Sequence, residues 1–153
     1  KAKAKARARA RAEAKARARA RAKARAQKRK ERCQPKPSDD ILAIAPSEWL
    51  IAKPLYQRYL QDWSLARRLA HLTWSKNDQG KTQGFQIKRI KCKSQLALLG
   101  IEKNDVIVTI NGIPINGMGA ALGLYWELNT AKKLNIVLRR KNKTINLRYR
   151  VVG

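Results

Sequence analysis

IEKNDVIVTINGI, residues 101–113, is the stretch of this sequence that decides the fold. It predicts a turn and then a buried strand over 105–110, because valine, isoleucine and threonine favour strands. Asn111-Gly112 follows, and this pair supplies the positive φ angles of a tight turn. A Gly84-Phe85 pair lies upstream, and residues 117–131 predict a helix downstream. This order indicates a small domain that mixes strands and helices.

Further elements are predicted on both sides of this stretch. Pro46-Ser47-Glu48 predicts the start of a helix with Ser47 as its N-cap. The other predicted elements are a short helix at 65–69, strands at 71–75 and 84–91 that form a hairpin, a helical turn at 94–99 ended by Gly100, a helix at 120–130, and a second hairpin made of 134–140 and 144–152.

Together these elements predict an α+β fold: a partly open β-barrel of about five to six strands capped by two helices. A helical segment and a basic Ala/Arg/Lys tail precede this barrel. Trp49, Trp63 and Trp74 are predicted to lie in the core. The predicted division of the chain is a basic low-complexity spacer at 1–32, a linker at 33–45, a helical lead-in with the first strand at 46–75, and the barrel domain at 76–153.

Positive charge dominates the chain and is present in both of its parts. The formal net charge is +26 over 153 residues. Residues 1–32 hold 16 Lys/Arg against 2 Glu, a net of +14, and residues 33–153 hold 20 Lys/Arg against 8 Asp/Glu, a net of +12. Residues 1–26 alternate Lys or Arg with Ala, apart from Glu13, which predicts a solvated helix or an extended spacer without an apolar stripe.

Three functions fit this basic tail. It can serve as a spacer, bind anionic lipid or peptidoglycan-associated polymers through its charge, or bind nucleic acid without sequence preference. The tail has no aromatic residue on which bases could stack, which argues against single-stranded nucleic acid. The sequence has no run of about 18 apolar residues, so any membrane anchor is expected outside it.

Residue types that carry catalysis or bind metals are sparse. His71 is the only histidine, and Cys33 and Cys92 are the only cysteines. No Cys-x-x-Cys occurs, so we predict no metal site. The cysteines leave two alternatives open: a disulfide between them in an oxidising compartment, or two free thiols. Gly117-Met118-Gly119 lacks the Lys-Ser/Thr of a phosphate-binding loop. We therefore predict that the protein is not an enzyme and needs no cofactor.

The motifs in the second part of the chain resemble those of a bacterial PDZ domain. The resemblance rests on Gly84-Phe85, on Ser94-x-x-Ala97-x-Leu99-Gly100-Ile101-x-x-x-Asp105-Val106-Ile107 and on Ile110-Asn111-Gly112, followed by a helix and a hairpin. It covers about residues 46–152. The sequence is most similar to the PDZ domain of the type II secretion system protein C family, and the HtrA-type and site-2 proteases carry similar domains.

The resemblance implies a non-catalytic protein-interaction module of a cell-envelope secretion machine. Such a module would be periplasmic, tethered to the inner membrane by a segment not present in this sequence, and would contact partner proteins or cargo. Two alternatives are the regulatory PDZ domain of an envelope protease and a component of a pilus or flagellar motor. The Ala/Arg/Lys tail is not a feature of the secretion family.

The resemblance also implies a binding site. In a PDZ domain an extended peptide adds to a sheet edge, where backbone hydrogen bonds give affinity and side-chain pockets give specificity. Carried over residue by residue, Gln83-Gly84-Phe85 is the loop that faces a carboxylate, 86–90 is the edge strand, and Lys88 and Arg89 favour acidic peptides. The residues predicted to bind peptide are Gly84, Phe85, Gln86, Ile87, Lys88, Met118, Leu122, Tyr125 and Trp126. The alternative is that Phe85, Ile87 and Leu122 are core residues.

Overall fold

The computed structural model describes the backbone of residues 1–153 and every side chain except that of Trp63. The predicted placement of Trp63 in the core therefore lies outside the described residues. The chain divides into two compact units, Lys1–Gln34 and Pro35–Gly153. Within the described part of the chain, no helix combines the length and the apolarity that crossing a bilayer requires.

The first unit is one long helix, α1, from Ala2 to Arg32. None of its residues is buried. Cations four residues apart repel one another along its length, and the ion pair of Glu13 with Arg17, at 4.0 Å, is the exception. The helix spans about 46 Å. The helical alternative predicted for the tail, without a core of its own, is confirmed.

The second unit is a sheet with three helices and one 3₁₀ turn. Its strands are Ile41–Ala45 (β1), Glu48–Ala52 (β2), Ala70–Lys76 (β3), Thr82–Ile90 (β4), Val106–Ile110 (β5), Ile113–Pro114 (β6), Lys133–Arg140 (β7) and Lys143–Val152 (β8). Its helices are Lys53–Gln61 (α2), Trp63–Leu69 (α3) and Met118–Thr130 (α4), and the 3₁₀ turn is Gln95–Leu99. The predicted α+β class is confirmed.

All eight strands belong to one open sheet. Their order is β1-β2-β8-β7-β5-β4-β3, and β6 pairs with β5 beside this path. Neighbouring strands are antiparallel, except that β2 runs parallel to β8. Five to six strands were expected, and the additional ones are β1 and β2. The open sheet is therefore larger than the sequence indicated, because β1 and β2 extend it at one end.

The prediction that a helix begins at Pro46-Ser47-Glu48 is wrong. These residues lead from β1 into β2, and the helix begins later, at Lys53. Glu48–Ala52 pairs with β1 on one side and with β8 on the other, so both edges of its backbone are hydrogen-bonded. Trp49 and Ile51 alternate with less buried neighbours, as on a strand with one face in the core. Pairing across the sheet thus overrides the local helix start.

Most of the predicted turns are confirmed. The Ser94 hydroxyl accepts a hydrogen bond from the Leu96 amide at 3.2 Å and caps the 3₁₀ turn. Gly100 ends that turn at φ 76°, in the left-handed region. Asn111 and Gly112 have φ values of 51° and 77°, as the tight turn between β5 and β6 requires. Lys141, with φ 50°, belongs to the corresponding turn between β7 and β8.

The core lies between the sheet and α2. Trp49 stacks on Tyr149 with ring centroids 5.2 Å apart, and both side chains are buried, so the core placement of Trp49 is confirmed. The placement of Trp74 in the core is wrong, because this residue lies on the outermost strand and is partly exposed.

Both cysteines are described, and neither is a free thiol, so the free-thiol alternative is wrong.

Candidate functional site

The free edges of the sheet are the places where another chain can add a strand. The strand order ends with β1 on one side and β3 on the other. A strand at a sheet edge presents unpaired N–H and C=O groups, which are a template for an incoming extended segment. The two edges are therefore the first candidates for a binding site in Pro35–Gly153.

The β3 edge carries two exposed apolar side chains. Leu72 is paired with Ile87, and Trp74 with Phe85, across β3 and β4. Paired residues share a face of the sheet, and Ile87 is only 2% exposed, so this face is the core side. Leu72 is nevertheless 42% exposed, because the core does not reach the last strand. The β3 edge thus combines unpaired backbone N–H and C=O groups with an exposed apolar surface.

Trp74 is held in place by its neighbour on β4. Its ring lies 4.3 Å, centroid to centroid, from the ring of Phe85, with the two planes tilted by 30°. Offset aromatic pairs of this kind add about 0.5–1.5 kcal/mol beyond the area that they bury. Contact with the Phe85 ring on the neighbouring strand therefore holds the exposed Trp74 ring in position.

The prediction that residues 86–90 form an edge strand is wrong for Gln86 and Ile87. β4 pairs with β3 along its length and with β5 at Phe85 and Gln86, and the Ile87 amide donates to the Asp105 carbonyl, so this part of the strand is interior. Gly84 and Ile87 are buried, and Phe85 and Gln86 are half-buried, so only Lys88 of the five predicted residues on β4 is exposed.

Gly84 lies where β4 and β5 approach each other closely. A Cβ atom at this position would lie 2.2 Å from the carbonyl oxygen of Ile107 on β5. The glycine is therefore required where two backbones approach closely, and this packing explains it without a bound carboxylate.

Helix α4 exposes an apolar stripe. Met118, Leu122 and Trp126 are four residues apart, which places them along one side of the helix, and all three are exposed, Trp126 by 73%. Tyr125 is half-buried, and its ring meets that of Trp126 edge to face at 6.1 Å. All four residues were predicted to bind peptide. Leu122 is not the core residue that the alternative assumed.

The opposite side of α4 attaches it to the rest of the unit. Leu124 is buried, and the Tyr56 hydroxyl on α2 donates a hydrogen bond to the Leu128 carbonyl at 2.6 Å. Burial, aided by the negative charge of Glu127, raises the pKa of Tyr56 to about 12. Burial likewise raises the pKa of Tyr149, whose hydroxyl donates to the Leu99 carbonyl at 2.6 Å.

These two tyrosines make the unit sensitive to alkali. A tyrosine in the unfolded chain ionises near pH 10, whereas Tyr56 stays neutral up to about pH 12 in the fold. Above pH 10 the folded state thus keeps protons that the unfolded state loses. The contribution of these tyrosines to the free energy of unfolding is therefore complete below pH 10 and decreases as pH rises through 12. We expect the urea midpoint, followed by tryptophan fluorescence, to fall between pH 9.5 and 11.5 by this mechanism. Tyr56→Phe should remove part of the slope; an equal slope in wild type and variant would contradict this origin.

An ion pair between a buried carboxylate and a half-buried guanidinium closes the turn before β5, and the sequence did not predict it. Asp105 is 0% exposed, and its two oxygens accept hydrogen bonds from the guanidinium of Arg140 at 2.9 and 2.8 Å. The same guanidinium donates to the Gly100 carbonyl at 2.7 Å. The hydrogen bond to Asp105 raises the pKa of Arg140. An aspartate is rarely buried without a charged partner. The position of Asp105 directly before an apolar strand is therefore the sequence signal that could have indicated an ion pair.

The surroundings of the β3 edge are basic. Lys76 ends β3, and Lys88 and Arg89 lie on β4 beside it, all three exposed. Residues 33–153 carry a net charge of +12. An acidic segment would therefore be attracted to this edge, an effect that salt weakens.

The fold is that of a PDZ domain. The PDZ domain of EpsC from Vibrio cholerae is similar to this chain with a TM-score of 0.50 at 14% sequence identity, over 63% of this chain and 91% of that one. The PDZ domain of the pullulanase C protein of the type II secretion system from Klebsiella pneumoniae matches with a TM-score of 0.41 at 20% identity, over 55% of this chain and 88% of that one. No protein-family model matches the chain, and no curated protein does.

Proposed function

We propose that Pro35–Gly153 is a non-catalytic protein-interaction module that binds an extended protein segment along the outer edge of β3. The observation that carries this proposal is the free edge itself, with Leu72 and Trp74 exposed beside it. Adding a strand to a sheet edge is the way in which PDZ domains bind peptides. The edge at β3 replaces the one first assigned to 86–90.

The other predicted residues have two different roles in this proposal. Met118, Leu122, Tyr125 and Trp126 on α4 remain proposed contacts for side chains of the bound segment, because the first, second and fourth are apolar and exposed and Tyr125 packs against Trp126. Gly84, Phe85, Gln86 and Ile87 support the site from the neighbouring strand. Lys88 stays exposed and favours acidic ligands through its charge.

The cellular setting belongs to the same proposal. We place the module in the periplasm, in a secretion machine of the type II kind, on the resemblance of its motifs to the protein C family. A tether to the inner membrane would lie outside this sequence. The exposed cationic helix α1, with 16 Lys/Arg within residues 1–32, suits a spacer that also contacts an anionic surface.

The two sheet edges provide a matched test of the binding site. Leu72 on β3 and Leu42 on β1 are both leucines on outermost strands, 42% and 58% exposed. A peptide selected from a displayed random library against the whole chain serves as the probe. We expect Leu72→Ser to weaken its binding about tenfold, which is 1.4 kcal/mol, and Leu42→Ser to leave it unchanged. Equal losses in both variants, or a loss only in Leu42→Ser, would rule out the β3 edge.

The same variants test the setting. The whole chain, a form lacking residues 1–32, and the two leucine variants are used to capture proteins from a bacterial envelope extract. We expect components of a secretion machine to be captured by the whole chain and by Leu42→Ser, and to be lost with Leu72→Ser. Capture of a protease catalytic domain, or of pilus or flagellar motor proteins, would instead support one of the alternatives.

A further inference from the structure

An apolar cavity that is partly open to solvent lies in the second unit, away from the β3 edge and the exposed stripe of α4. Its volume is about 190 Å³. The inner face of the sheet provides one wall, through Ile51, Leu134 and Ile136, and α2, α3 and the 3₁₀ turn provide the other, through Leu55, Ala66 and Leu96. The cavity has the capacity of about six water molecules, and voids larger than a single water are few in native interiors.

The polar groups around this cavity are turned away from it. The hydroxyls of Tyr56 and Tyr149 donate to the backbone carbonyls of Leu128 and Leu99, at 2.6 Å each. The Tyr59 hydroxyl donates to the side-chain oxygen of Gln95 at 3.0 Å. Among the described side chains, no buried polar atom lacks a partner. A water molecule needs two to four polar partners, and this apolar wall provides none.

Charge is also excluded from the wall. Pro35–Gly153 holds 20 Lys and Arg, yet no charged side chain is among the described residues that line the cavity. A carboxylate, a phosphate or an ammonium group would lose its hydration there without gaining a partner.

From the volume and the lining, we propose that this cavity is a binding site for a neutral hydrocarbon group of about six to eight carbons. An apolar cavity of about 150 Å³ accommodates benzene, so a cavity of 190 Å³ suits a group slightly larger than that ring. The group can be a free hydrocarbon or the end of an alkyl chain whose polar head stays outside. The site is independent of peptide binding at β3, so either one can fail without the other.

The test uses the whole chain with its isoleucine and leucine methyl groups labelled for NMR. The probes are benzene and, below its micelle concentration, octyl glucoside, whose sugar cannot enter an apolar cavity. We expect the methyl signals of Ile51, Leu55 and Leu134 to shift and those of the exposed Leu42 and Leu122 to stay. At ten times Kd, the melting temperature should rise by about 5 °C.

Two leucine substitutions on α3 provide the control. Ala66→Leu places extra carbon atoms in the cavity, and Arg67→Leu places the same side chain on the exposed side of the helix. We expect Ala66→Leu to weaken binding at least tenfold and Arg67→Leu to leave it unchanged. If both probes bind, the site accepts the end of an alkyl chain whose polar head stays outside. If benzene alone binds, the site accepts only a free hydrocarbon.

Three results would overturn the proposal: no methyl shift with either probe, shifts confined to exposed methyl groups such as those of Leu122, or equal binding by Ala66→Leu and wild type. If Ala66→Leu does not fold, the map of shifted methyl groups in the wild-type chain decides by itself.

Discussion

Replacing Arg140 by alanine should lower the free energy of unfolding by about 3–5 kcal/mol, because Asp105, which is buried in the fold, would lose its cation. The guanidinium is bonded to both carboxylate oxygens and to the Gly100 carbonyl, so a single truncation removes three hydrogen bonds. Urea unfolding followed by tryptophan fluorescence measures this loss, since all four tryptophans lie in Pro35–Gly153.

The neighbouring arginine is the control for this variant. Arg139 is exposed on the same strand, and Arg139→Ala should change stability by no more than about 0.5 kcal/mol. Combining Arg140→Ala with Asp105→Asn should recover part of the loss, because the uncompensated charge is then absent. A loss under about 1 kcal/mol in Arg140→Ala would show that Asp105 is solvated in the fold.

The second large effect is expected for Gly84→Ala. The added Cβ would lie 2.2 Å from the carbonyl oxygen of Ile107, so either β4 or β5 must move and their short pairing must open. We expect a loss of about 3 kcal/mol, at the upper end of the cost of overpacking a core. The measurement is again the urea midpoint, read together with amide exchange of β4 and β5.

Gly119→Ala is the matched control for Gly84→Ala. Gly119 lies on α4, and a Cβ there meets nothing within 4 Å. Alanine favours helix over glycine by about 0.5–1 kcal/mol, so this substitution should raise stability. Destabilisation by both substitutions to a similar extent would show that the contact with Ile107 is not what Gly84 avoids.

Local sequence patterns were sufficient for most elements of the fold. The strand before Asn111-Gly112, the turn that ends at Gly100 and the hairpin of β7 with β8 each follow from residues that are adjacent in sequence. The pairing of β2 with β8 does not. Glu48 pairs with Arg148, one hundred residues later, and no local pattern reports a partner at that separation.

The candidate site was harder to predict for the same reason. Which strand is outermost depends on the order of the whole sheet, and the motif at Gly84-Phe85 is equally compatible with an interior strand. Apolar side chains on a strand, such as those of Leu72 and Trp74, are usually buried, and Trp74 was predicted to lie in the core. Their exposure follows only from the absence of a further strand beyond β3 in the described sheet. The partner of Asp105 was likewise out of reach, 35 residues away at Arg140.

The parallel pairing of β2 with β8 has a consequence for how this unit can be joined to other proteins. Ile41, where the chain enters the sheet, is level with Ile51 in the next strand, and Ile51 is level with Val151, near the end of the last strand. The points of entrance and exit are thus two strand spacings apart, about 10 Å. Three or four residues would bridge that gap. The unit is therefore suited to circular permutation, with new ends at an exposed turn, and to insertion as a whole into a surface loop of a host protein.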